Sequence, residues 1–119
     1  MKSLRKLMRR ILSSRLVPTV PRSSAAAAAA WAARHYRDER KCAVAARFAL
    51  LLEAQLDRPL SGFMPRSRFY EDLNMHDLEP VEVVLAIEQE FQLTVPGAQA
   101  AAMRTIDDVV AYLAIHAKN

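Results

Sequence analysis

Three histidines, one cysteine and thirteen carboxylates are the side chains of this 119-residue chain best equipped for chemistry. His76 stands directly beside Asp77, the pairing a general base uses. Catalysis from such a pair also needs a nucleophile and an orienting partner, and neither is visible around it. His35, His76 and His116 are scattered, without the spacing of a metal-ligand set. Cys42 falls near the start of an apolar helix, where packing is the expected role, and a lone cysteine forms no disulfide within one chain. Gly62 and Gly97 build no phosphate-binding loop. The residues therefore point away from an enzyme and away from a metal. Leu78, Val81, Leu85 and Glu82 do share one exposed helical face, since spacings of three and four make neighbours on a helix. What remains is a protein-binding surface.

The elements that would position this face follow from periodicity and punctuation. Val83, Val84, Ile87 and Phe91 draw one apolar stripe, which predicts a core-facing helix up to Phe91. Asp77 is a good N-cap residue for it, accepting from the amide of Glu79, and Pro80 is tolerated in the first turn, where its missing amide hydrogen would have had no partner. Upstream, Val44, Phe48, Leu51, Leu52 and Leu56 give a first core helix ending before Pro59. Ser67 is placed to cap a short turn through Phe69 to Leu73, and Asn74 stands where a left-handed residue would end it. Pro96-Gly97 breaks the chain. Thr105 with Asp108 then makes a capping-box start for a last helix whose apolar face is Ile106, Val109, Val110 and Leu113. This is an all-α chain, read as a four-helix bundle with a basic helical extension at its N-terminus.

The formal charge of +4 hides a division. Residues 1 to 37 hold nine Lys or Arg and no acid, whereas residues 71 to 108 hold nine acids and Arg104 as their one Lys or Arg. An acidic body with a basic tail is a poor match to uniform nucleic-acid binding. Leu4, Leu7, Met8, Ile11 and Leu12 fall on one helical face, with Lys2, Arg5, Lys6, Arg9 and Arg10 opposite. With several serines and no acid, residues 1–22 look like a mitochondrial transit peptide rather than a secretory signal, which needs a continuous apolar run. Removal and retention are both compatible with this composition, as is a basic helix lying on anionic lipid or RNA. Residues 23–40 read as an Ala-rich helix, either a solvated linker or a docking element anchored by Trp31 and Tyr36, and able to run on into the first core helix. Residues 41–119 form the main domain. The apolar run from Ala25 to Ala33 stops at Arg34, too short to span a bilayer.

The stretch from Phe69 to Phe91 resembles the acyl carrier proteins. In that family an Asp-Leu-Gly-x-Asp-Ser-Leu motif opens the second helix, and its serine carries the phosphopantetheine arm. The same register here reads Asp72-Leu73-Asn74-Met75-His76-Asp77-Leu78. Asp77 thus occupies the serine position and His76 the preceding aspartate. Leu93-Thr94-Val95-Pro96 and Met103 to Leu113 match later landmarks, so the resemblance spans about residues 41 to 117. The other serines, Ser61 and Ser67 included, are not followed by the recognition helix.

This resemblance implies a four-helix carrier fold, and the Asp77 exchange implies that no phosphopantetheine is bound. Carrier second helices present acids to basic partners, and the matching positions make Leu78, Glu79, Val81, Glu82, Leu85 and Glu88 the expected partner-binding residues. Glu88 and Glu90 fit simple solvation equally well. Mitochondrial members of the family dock on small helical proteins of the LYR type in respiratory complex I, iron-sulfur assembly and mitoribosome-related assemblies. The implied role is a structural or assembly subunit on the matrix side of the mitochondrion, binding a basic helical partner. Two alternatives stand beside it: a working carrier in mitochondrial fatty-acid or lipoate synthesis, and a subunit that contacts RNA through its basic tail.

Overall fold

The computed structural model describes residues 23–76 and 79–118. The basic segment at 1–22, Asp77 with its expected capping role, and Leu78 lie outside the described residues. Within them the chain is all-helical: α1 (Ala25–His35), α2 (Glu39–Leu56), a 3₁₀ turn (Leu60–Gly62), α3 (Glu79–Phe91), α4 (Gly97–Ala102) and α5 (Ile106–His116). One isolated antiparallel bridge pairs Arg68 with Thr105. No described helix is long and apolar enough to cross a membrane.

The Ala-rich run does form a helix, as its propensity dictates, started by Ser24, whose side chain accepts from the amide of Ala27 at 3.1 Å. It does not continue into the first core helix. Tyr36 adopts an extended backbone, and Asp38 starts α2 afresh by accepting from the amide of Lys41 at 2.8 Å. The two helices instead fold back on one another as an antiparallel hairpin, because Ser23, just before α1, meets Glu53, near the end of α2.

This hairpin is part of the core. Trp31, divided in the sequence reading between a solvated linker and an external docking element, is 3% exposed and shares one apolar cluster with Phe48, Leu52, Phe63 and Leu113. Its indole nitrogen donates to the carbonyl of Phe63 at 3.0 Å, which satisfies the one polar atom a buried tryptophan carries. Tyr36 is also buried, with its hydroxyl donating to Asp107 at 3.1 Å. Burial, and then the neighbouring Asp107 carboxylate, push the Tyr36 hydroxyl pKa well above the usual phenol range. Arg40 extends from the start of α2 to donate to the carbonyls of Ala114 (3.1 Å) and Ala117, two acceptors freed at the C-terminal end of α5.

Most of the expected apolar stripes turn inward: Val44, Phe48 and Leu52 on α2, Val83, Ile87 and Phe91 on α3, and Ile106, Val109, Val110 and Leu113 on α5, while Leu51, Leu56 and Val84 are half-buried and pack against the margin of the core. The capping box is complete, with Thr105 accepting from the Asp108 amide and Asp108 accepting from the Thr105 amide, each at 3.1 Å.

Candidate functional site

The chain reaches the start of α3 through residues 63–76, and the hydrogen bonds of this segment set its course. Ile106 donates to the carbonyl of Ser67 (3.2 Å), Asp107 to that of Pro65 (2.8 Å) and Phe69 to that of Arg104 (3.0 Å), which ties the segment to the beginning of α5. Phe69 meets Phe48 edge to face at a centroid distance of 6.5 Å. Ser67 does not cap the turn that follows. Its hydroxyl points back to accept from the amide of Met64 at 2.9 Å, and the capping falls to Asp72, which accepts from the Arg68 amide at 2.8 Å. A carboxylate four residues ahead reaches that amide while also meeting the guanidinium of Arg68, with Nε to Oδ2 at 3.1 Å. The hydrogen bonds from Arg68 hold the Asp72 carboxyl below its usual range.

Asn74 takes the left-handed conformation expected of it, at φ 55°. From there the side chains alternate: Leu73 and Met75 are buried, Asn74 and His76 exposed. The two apolar anchors fix the register of residues 73–76. His76 Nε2 lies against Asn74 Oδ1, the His35 ring is tilted against Trp31 and the His116 ring against Tyr112, so each histidine has a different neighbour. Among the described residues no group of three or more His, Cys, Asp or Glu stands where it could hold a metal ion. Cys42 is half-buried and packs against the core.

Helix α3 divides into two halves. In its first half Val81, Glu82 and Leu85 lie half-buried, three of the six residues singled out for partner contact. Leu78 falls outside the described residues, and of Glu79 only the backbone is described. In the second half the acids serve the fold. Glu88, the sixth residue, turns its carboxylate to accept from the Val95 amide at 2.8 Å, and its carbonyl accepts from Leu93 at 3.2 Å. With Gln92 at φ 51°, this carbonyl bond is the six-residue closure of a Schellman motif, made with glutamine where glycine is usual. Glu90 pairs with Arg47 of α2, whose Nη2 lies 3.1 Å from its carboxylate and 2.7 Å from its carbonyl. The same guanidinium sits 4.3 Å above the Phe91 ring.

The sequence reading missed Arg47 and Glu53. Glu53 is 1% exposed on α2, and the signal was its register, eight residues after buried Ala45 and four after buried Ala49. An acid on a buried stripe requires partners. Its carboxylate accepts from the Ser23 amide (2.9 Å), the Ser23 hydroxyl (2.8 Å) and the Leu60 amide (3.2 Å).

A helical bundle that presents the start of one amphipathic helix beside an anchored loop is the architecture of a carrier module. A family model described as "Phosphopantetheine attachment site" matches residues 46–113, more than half of the chain. The acyl carrier protein of Helicobacter hepaticus is 42% identical over 59 residues, which cover 50% of this chain and 78% of that protein. That of Thermosynechococcus vestitus is 36% identical over 50 residues, covering 42% and 62%, and that of Rickettsia canadensis 33% over 63, covering 53% and 73%. The chain belongs to the acyl carrier protein family.

Proposed function

We propose that this member of the family works as a docking subunit without a phosphopantetheine arm and without catalysis of its own. The observation that carries the reading is Asp77, a carboxylate at the register position where the family motif has its arm-bearing serine. A side chain without a hydroxyl cannot form the phosphodiester that holds the arm. An acid there is nonetheless suited to a helix start, where negative charge is favoured.

Without an arm, affinity has to come from the surface. The first half of α3 offers half-buried Val81, Glu82 and Leu85, and Leu78 and Glu79 stand next to them in sequence, a run of apolar residues with acids. The complementary partner is a basic amphipathic helix. A LYR-type protein within respiratory complex I, iron-sulfur assembly or a mitoribosome-related assembly has that chemistry, and the basic residues 1–22 favour a mitochondrial, matrix-side setting.

The intact mass of the protein isolated from its own cells tests this. A chain without a phosphopantetheine adduct is expected, and an adduct would overturn the reading. The family model and the relatives' names support a second reading, a working acyl carrier, and the same spectrum would then carry the adduct, with the attached residue located by fragmentation.

A further inference from the structure

The clasp between Ser23 and Glu53 is unusual in its charge balance. Glu53 is 1% exposed, and its three donors are two backbone amides and a hydroxyl, all neutral. None of the ion pairs among the described residues involves it. A buried carboxylate is normally matched by a cation, because hydrogen bonds from neutral groups return only part of the lost hydration.

The atom 2.9 Å from Glu53 Oε1 is the backbone nitrogen of Ser23, the nitrogen of the Arg22–Ser23 peptide bond. We infer that this bond is a processing site, and that Glu53 is the receptor for the ammonium of the new N-terminus. Hydrolysis consumes one water, breaks the C–N bond, leaves Arg22 with a carboxylate and leaves Ser23 with an amine that takes up a proton near neutral pH. The catalyst is an external endopeptidase. The neutral amide donor then becomes a cation in place, and the hydrogen bond becomes charge-assisted. Ser23 is half-buried, so the ammonium keeps a path to solvent for its remaining hydrogens.

A cut at this bond spares the described core. Residues 1–22 hold seven Lys or Arg and no acid, and the buried core residues among those described lie between Ala28 and Ala117. A chain beginning at Ser23 therefore keeps the whole described core and both partners of the clasp. It loses the cationic segment alone.

The test compares the full chain, residues 23–119 with a free α-amine, and residues 23–119 with that amine acetylated. At pH 6 to 7 the free amine is expected to raise the thermal midpoint by roughly 5 °C over the acetylated chain. The folded amine should titrate above its ordinary ~7.7–8.0. The gain is then complete below that ordinary value and disappears as pH rises through the folded one. Asp57 and Arg58, the charged residues between Glu53 and Leu60, are common to both short chains, so the difference isolates the amine. Glu53→Gln should erase it, and should that variant not fold, a chain beginning at Ser24 should show no effect of acetylation. Equal midpoints for free and acetylated chains, or an amine titrating at its ordinary value, would overturn the receptor role. A native N-terminus other than Ser23 would overturn the processing site.

Discussion

Helices α1 and α3 contrast in where their information lies. Helix α3 carries a legible apolar stripe and most of the family motif's continuation, yet two of its acids serve its own fold: Glu88 on Val95, Glu90 on Arg47. Helix α1 is nearly all alanine and advertises nothing by pattern, yet it is fixed by Trp31 inside the core and by Ser23 on Glu53. Conspicuous charge on a helix is thus a poor guide to function, and weak patterning a poor guide to marginality. Burial and hydrogen-bond partners decide both.

The contrast can be broken at its strong end first. Trp31→Ala should destabilise the protein by about 3–5 kcal/mol in denaturant unfolding, the loss typical of a buried aromatic; an unchanged midpoint would return α1 to the status of a linker. Glu88→Ala removes the acceptor for the Val95 amide and should cost about 1–2 kcal/mol while leaving partner capture intact. Tyr36→Phe should cost about 1 kcal/mol. In the parent protein the raised Tyr36 pKa means that its contribution is complete below the unfolded phenol value of ~10 and declines above it. The variant should lack that alkaline decline. At the weak end, Glu82→Lys replaces a half-buried acid and should change stability by about 1 kcal/mol. Paired with Glu79→Lys, it should still lower capture of a basic helical partner by roughly tenfold or more, with helical content preserved. Salt should act in the same direction, since the screening length falls from ~10 Å at 0.1 M to ~3 Å at 1 M. Capture that survives charge reversal would sink the acidic-face model.

Much of the bundle was legible because its helices obey local rules. The Thr105–Asp108 box, the left-handed Asn74 and the stripes on α2, α3 and α5 depend on residues within a turn or two of each other. What escaped was set by competition among local partners and by distant contacts. Ser67 looked like a cap for the turn after it, but Asp72 could offer a carboxylate to both the Arg68 amide and its guanidinium, and Ser67 instead accepts from Met64, three residues behind it. The break between α1 and α2 depends on Asp38 competing as a new N-cap and on Tyr36 finding Asp107, 71 residues away. The candidate face was legible as a pattern of threes and fours. The engagement of Glu90 was not, because its partner Arg47 sits 43 positions earlier.

The hydrogen bonds that hold residues 65–69 have a further consequence for how the protein folds. Their partners are Arg104, Ile106 and Asp107, near the end of the chain. These anchors follow α3 in the sequence while residues 65–69 precede it, so the segment leading toward α3 gains its frame only when α5 has folded against it. Melting the start of α5 would release that segment at a distance, with α3 itself unchanged.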